Sequence, residues 1–291
     1  MFSSRLAPDF GTITGGMSSR LALEKDPSRP RRLDELVDRL QSQGRYTFIR
    51  VEAVAALGTT AESFKKAVQI MTRRRKLASP RRGFYVIVPA EYRVAGAPPA
   101  SWYIDDLMKA ARTPYYVGVL TAAALHAAAH QGPQEFQVVT TGRQRPMAIG
   151  RDRIRFLKKR NLSRTEVMAV KTPTGTMKVS TPEATALDLL RYVDAAGFLS
   201  NIATVLHELA AQCEPGRLVG AAAAGVELPH AQRLGYLLDL VGAGQLADPL
   251  ARWLAEQGPD WTRLDPGRRA RRARRDARWR ILVNARVEPD L

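Results

Sequence analysis

Thr59 to Val88 reads TTAESFKKAVQIMTRRRKLASPRRGFYVIV. An amphipathic run turns strongly basic, breaks at Ser79-Pro80 and resumes as a β-rich ribbon. Thr59-Thr-Ala-Glu62 has the T-x-x-E form of a capping box, in which hydroxyl and carboxylate each satisfy one orphan backbone N–H. The pattern predicts a helix from about Thr60. Phe64, Ala67, Val68 and Met71 form its apolar stripe. Glu62, Lys66, Gln69, Arg73 and Lys76 lie opposite. After the break, Gly83 to Val88 is predicted to be a strand, with Arg81-Arg82-Gly83 at the tip of the ribbon.

Upstream, Leu33, Leu36, Val37 and Leu40 recur at i, i+3, i+4 and i+7, one buried helix face with Gly44 as its stop. Tyr46 to Ile49 reads as a short strand, and Val51 to Leu57 as a second helix ended by Gly58. Helix, strand, helix, short turn, helix and β-ribbon is the order of a winged helix-turn-helix. Its third helix would lie in a major groove and its ribbon on a flanking phosphate. On this reading Lys66, Gln69 and Arg73 face base edges, Lys65, Arg74, Arg75 and Lys76 bind phosphates, and Arg81 and Arg82 form the wing contact. The plain alternative is a solvated basic helix. It leaves the basic ribbon beside that helix unexplained.

Charge placement supports a phosphate-bearing partner. The 291-residue chain has a formal charge of +17 and a pI of about 10.6, a balance that points to nucleic acid. Residues 60–82 carry eight Lys/Arg against one acid, a net of +7. Residues 143–171 carry ten against two, a net of +8, and 263–280 carry nine against two, a net of +7. The rest of the chain is therefore −5. Apolar residues make up 45%, enough for real cores. The single cysteine, Cys213, excludes a disulfide framework and fits a reducing, cytoplasmic setting. The longest apolar run, Val117 to Ala129, is interrupted by His126 and is shorter than the roughly 20 residues of a membrane span.

The expected organisation is α+β: a leader at 1–30 without apolar period (Met17 being an alternative start), a winged helix-turn-helix domain at 31–94, a linker-like Ala95-Gly-Ala-Pro-Pro-Ala100, and a larger mixed α/β C-terminal domain at 101–291. In that domain Trp102–Arg112 and Tyr116–His130 read as helices. Glu135–Thr141, Ile154–Lys159, Val167–Lys171 and Met177–Val179 read as strands. Ser180-Thr-Pro-Glu183 reads as a second capping box, opening a helix through Val193. Helices follow at 198–212, 215–224, 230–241 and 246–257, and Trp279–Val287 reads as a strand returning to the sheet.

Arg153-Ile-Arg-Phe-Leu-Lys-Lys-Arg160 alternates charge with apolar residues. One sheet face would be core and the other cationic, making Arg153, Arg155, Lys158, Lys159 and Arg160 a possible second nucleic-acid contact. The run RRARRARRDARWR, with Arg268, Arg269, Arg271, Arg272, Arg274 and Arg275, reads as a disordered basic arm or a helix ordered by phosphate. Asp188 and Arg191, at i and i+3, read as a helix-surface pair.

Chemistry-bearing motifs are sparse. His126 and His130 have i, i+4 spacing, but H-E-x-x-H is missing its Glu and no further ligands cluster nearby, so no metal is expected. There is no GxxxxGK[ST], GxGxxG or G-x-S-x-G, so no cofactor and no catalytic residues are assigned. Asp105 and Asp106 are adjacent on a helix and do not face each other. Cys213 has no base to activate it.

Several stretches in order resemble the abortive-infection AbiEi antitoxins of bacterial type IV toxin–antitoxin systems. They are YTFIRVEAVAALGTTAESFKKAVQIMTRRRKLASPRRGFYVIVPAEYR, PYYVGVLTAAALHAAAHQGPQEFQVVT, RIRFLKKR, VKTPTGTMKVSTPEATALDLLRY and the ending DARWRILVNARVEPDL. The resemblance implies an N-terminal winged helix that binds inverted repeats in its own promoter and represses transcription. It implies a C-terminal domain that carries the antitoxin activity in phage defence. It also implies a nucleotidyltransferase-like toxin as functional partner, opposed with or without direct contact. The residues themselves leave open a second class, an RNA-binding factor or RNA-directed enzyme working through the basic C-terminal sheet.

Overall fold

The structure is a computed structural model that describes residues 30–128, 132–225 and 227–290; the expected leader falls almost wholly outside them. Helix α1 (Leu33–Ser42) buries Leu33, Leu36, Val37 and Leu40. Strand β1 (Thr47–Ile49) runs into α2 (Arg50–Leu57), which Gly58 ends in the left-handed region at φ +60. Glycine takes that conformation without a Cβ clash. Helix α3 spans Ala61–Arg73, and β2 (Leu77–Arg81) and β3 (Phe84–Ile87) form the ribbon. The three strands pair antiparallel in the order β1-β3-β2. Phe48 and Phe64, each 1% exposed, close the core against Leu77 and Ile87. Burying each such ring contributes roughly 1.5–3 kcal/mol.

Two local expectations shift. The α3 cap is Thr60, whose hydroxyl accepts from the Ser63 N–H at 3.2 Å. Glu62 instead reaches Lys66, 3.6 Å away. Ser79-Pro80 does not break the ribbon but lies within β2, at a bulge where the register jumps from Ala78↔Val86 to Arg81↔Phe84. The irregularity is what admits a proline, which cannot donate to the ladder. The Ser79 hydroxyl spans it, 3.1 Å from the Phe84 carbonyl.

In the C-terminal part, α4 (Ile104–Ala110) precedes β4 (Tyr115–Val117), α5 (Val119–Leu125), β5 (Phe136–Thr140), β6 (Met147–Ile149), β7 (Asp152–Lys158), β8 (Val167–Thr172) and β9 (Gly175–Ser180). The strands form a six-stranded mixed sheet in the order β6-β7-β5-β4-β9-β8, parallel only at β5–β7 and β4–β9. The helix expected over 116–130 is thus a buried central strand followed by a short helix. Gly118 allows the change of direction, since a Cβ there would stand 2.9 Å from the Val139 side chain, and Val119 turns the corner at φ +55. The Gln137 side chain accepts from the Leu120 N–H at 2.8 Å, satisfying the start of α5.

Helices α6 (Pro182–Arg191), α7 (Phe198–Leu209), α8 (Pro215–Gly225), α9 (Leu228–Leu240) and α10 (Gly244–Gln257) follow. The α6 cap is Thr181, again one residue later than expected, with Pro182 in the first turn. One sheet face, through Tyr116 and Val139, packs on the helices. The other, through Tyr115, Val117 and Val138, packs on α4, on Ala78, Phe84 and Val86 of the N-terminal sheet and on Val88 just past it. The Ala95–Ala100 break is therefore a packed seam. Ala97 and Ala100 are buried, and the Ala95 carbonyl accepts from the Arg151 N–H at 2.9 Å. Thr47 donates across the seam to Asp106 at 2.5 Å.

The end of the chain does not rejoin the large sheet. Strands β10 (Thr262–Arg263), β11 (Arg274–Asp276) and β12 (Ile281–Val283) form a separate small sheet in the order β10-β12-β11. Trp279, 1% exposed, pins it to α9, with its indole N–H 2.6 Å from Asp239. A Cβ on Gly235 of α9 would stand 2.0 Å from the Trp279 ring, so glycine is required for this approach.

Candidate nucleic-acid interface

Helix α3 turns Phe64 and Met71 into the core, and its period carries Lys65, Lys66, Gln69 and Arg73 onto the exposed side. Arg74 and Arg75 continue the exposed cationic surface past the helix end, Arg75 in the left-handed region at φ +53. Lys76 is half-buried. Cations in the last turn also complement the negative end of the helix dipole, so this placement favours the helix itself. Among the described residues, the side chains of Lys65, Gln69, Arg73, Arg74, Arg75, Lys76 and Arg82 make no hydrogen bond or ion pair. The Glu62–Lys66 pair is exposed on both sides; such pairs are worth about 0.5 kcal/mol or less and exchange readily for another anion.

The ribbon turns at Arg82-Gly83, with Gly83 at φ +82. Arg82 is exposed. Arg81 is exposed but engaged, donating to the Gln144 side chain at 3.1 Å. The wing tip is therefore tied to the β5–β6 loop of the larger sheet.

The second group of expected contacts is not one surface. Strand β7 is covered on both sides: Ile154 and Phe156 face one core, Leu157 the other. It has no cationic face. Arg153, Lys158 and Arg160 are exposed at its ends, and Arg155 pairs with Glu135 at 3.4 Å. Lys159 points inward. Its ammonium donates to Asp188 at 2.8 Å and to the Tyr116 hydroxyl at 3.1 Å. Asp188 is fully buried and accepts from Tyr116 at 2.5 Å. The expected i, i+3 pair with Arg191 forms, the Arg191 Nε 3.7 Å from Asp188, but on the buried side of the helix rather than its surface. Burial first and Asp188 second hold the Tyr116 phenol protonated, its pKa far above the ordinary value. Sequence reasoning passed over this cluster. Its one local signal was an acid sharing the Ala184–Thr185 side of α6, the side that packs inward.

The Arg-rich run is neither a free arm nor a helix. Arg274 and Arg275 lie in β11; Arg274 donates to the Tyr236 hydroxyl at 3.4 Å and Arg275 stacks 5.4 Å over Trp261. Arg268 pairs with Asp265 at 3.2 Å. Arg269, Arg271 and Arg272 are exposed.

The remaining candidates are structural. His126 ends α5, its Nε2 2.8 Å from the Ser180 carbonyl; His130 lies outside the described residues. Among the described residues no three His, Cys, Asp or Glu are grouped to hold a metal. Burial, and then Glu183, push the Cys213 thiol up to about 12, which suppresses its thiolate. Among them, too, no helix is long and apolar enough to cross a membrane.

This is a mixed α+β protein, and the module that comparisons recognise is the central sheet with α5 to α9. Residues 116–240 match the family model of the AbiEi antitoxin C-terminal domain, a match that supports an AbiEi-type antitoxin of a type IV toxin–antitoxin system. The family is regulatory rather than catalytic. The RV2827C protein from Mycobacterium tuberculosis, known from its crystal structure, has a similar fold, with a TM-score of 0.63 over 88% of this chain and 94% of that one. Their sequences are 16% identical, so the likeness is one of fold. No curated protein matches the sequence.

Proposed function

We propose that this antitoxin is also a DNA-binding autorepressor. Residues 31–94 act as a winged helix-turn-helix domain and 101–291 as the antitoxin domain of a cytoplasmic phage-defence operon. The observation that carries the reading is the free polar face of α3, set beside a hairpin tipped by Arg82, at the end of a helix–turn–helix whose turn is Gly58-Thr59-Thr60. Gln69 reads adenine bidentately and Arg73 guanine. Lys66 faces base edges beside them, Lys65, Arg74, Arg75 and Lys76 hold the flanking phosphates, and Arg81 and Arg82 form the wing contact. The toxin it opposes is nucleotidyltransferase-like.

The test is a gel shift of the purified protein on roughly 200 base pairs upstream of its own gene, against scrambled DNA, over a salt series. The expected result is an upstream complex that resists competitor DNA. Equal and steeply salt-sensitive binding to both fragments would reject autorepression and leave only generic charge.

A further inference from the structure

The β7–β8 connection, residues 158–166, faces α6, α8 and the start of α9 across a cleft of about 860 Å³. Small-molecule sites occupy roughly 300–1,000 Å³. The floor is electrostatically closed. Lys159 and Tyr116 satisfy Asp188, and Arg191 pairs with Glu227 at 2.6 Å. His230 is pushed down to about 4, chiefly by burial, so its contact with Glu227 at 2.8 Å is a hydrogen bond from a neutral ring.

The rim is different. Lys158, Arg160 and Arg164 line one side, all exposed, and among the described residues none of the three side chains has a hydrogen-bond or ion-pair partner. The opposite wall carries Leu187 of α6 and Gly220 and Ala221 of α8, with Arg217 of α8 already held across the cleft by Glu166 at 2.9 Å. Gly220 lies within α8, and the position of a Cβ there meets only open space. Glycine inside a helix is less favourable than alanine. Here it keeps the wall flat.

We propose that this cleft binds a nucleoside triphosphate. The polyphosphate lies along Lys158, Arg160 and Arg164, and the nucleoside lies against Leu187 and the Gly220-Ala221 wall. Three cations on one side of the cleft, unpaired among the described residues, suit a chain of anionic groups, and two guanidinium forks suit phosphate oxygens. A single phosphate would leave most of the cleft empty. A duplex would meet the cations without using the wall. The site stands independently of whether α3 reads DNA.

The test is calorimetric titration of the full chain with ATP, GTP, CTP and UTP, and with pyrophosphate as the probe for charge alone. Two variants are compared after thermal melts verify their fold: Arg160→Ala/Arg164→Ala, which removes rim charge, and Gly220→Leu, which fills the wall from an open position. At least one triphosphate should saturate a single site. The double variant should weaken it about tenfold or more. Gly220→Leu should weaken it comparably while leaving pyrophosphate and duplex DNA binding unchanged. Pyrophosphate binding as tightly as the best triphosphate would overturn the proposal. So would the absence of binding by any nucleotide at about 1 mM, or binding that duplex DNA displaces and both variants leave intact.

Discussion

Residues 60–82 and 263–280 carry the same net charge of +7, and the fold treats them in opposite ways. On α3 and the ribbon, among the described residues, only Lys66 and Arg81 of eight cations have a side-chain partner, and both are exposed contacts. In the C-terminal segment six of nine are engaged. Arg278 bridges Asp239 at 3.4 Å and Asp248 at 2.5 Å and stacks on Trp279. Arg263 donates to the Arg268 carbonyl and Arg280 to the Pro259 carbonyl. Arg268, Arg274 and Arg275 hold Asp265, Tyr236 and Trp261. Charge density along a chain sets a long-range potential. Only unpartnered charge presented on a rigid element is available to form new contacts with phosphate.

The sharpest way to break this contrast is to remove the anchor of the second segment. Trp279→Ala should cost about 3–5 kcal/mol of stability, read as a lowered urea midpoint, while the folded fraction keeps its DNA-binding salt slope. A variant of unchanged stability with a flatter slope would mean that the segment is a nucleic-acid arm after all. Lys159 makes the same point inside the core. Lys159→Met leaves the buried Asp188 with the Tyr116 hydroxyl and the more distant Arg191 guanidinium, which should cost about 3 kcal/mol. Loss of DNA affinity without loss of stability would return Lys159 to the interface.

The inward turn of Lys159 is not legible in the sequence, for a physical reason. The partners of Lys159 lie 43 residues before it, at Tyr116, and 29 after it, at Asp188. No local period records such pairings. Where partners are local the sequence reads well: the α1 stripe, the Gly58 stop and the α3 stripe all fall where periodicity places them. The caps of α3 and α6 are each displaced by one residue because two hydroxyl residues stand in tandem, Thr59-Thr60 and Ser180-Thr181. Either could cap, and tertiary packing selects the second. Tyr115 to Val117 was lost to the alanine-rich run behind it. Only Gly118 marked the boundary. On the free face of α3, by contrast, nothing beyond helix spacing was needed to place Lys65, Lys66, Gln69 and Arg73 together.

That free face should behave oppositely to Trp279. Arg73→Ala should weaken operator binding by about 1–3 kcal/mol and relax preference at one base pair. Its stability should stay within about 0.5 kcal/mol of the parent, since no contact is lost. Unchanged affinity and unchanged base preference in a competition gel shift would show that α3 is not the reading element.

The smallest effect divides two neighbours on the ribbon. Arg82 is free at the turn, whereas Arg81 is held by Gln144. A cation that neutralises one phosphate releases about one counterion, so Arg82→Ala should flatten the slope of log affinity against log salt by about one unit, equally for every sequence. Arg81 must give up or share its hydrogen bond to do the same, so Arg81→Ala should change the slope less. Gln144→Ala frees Arg81 without adding charge, and should restore to it the full weight of a phosphate contact. Measured together, the three slopes separate a wing that is merely basic from one whose contact is set by the seam with the larger sheet. Equal slopes for Arg81→Ala and Arg82→Ala, unaffected by Gln144→Ala, would mean that a partner as weak as an exposed amide does not withhold a cation from DNA. The boundary between the two kinds of basic segment would then lie at ion pairs and buried contacts alone.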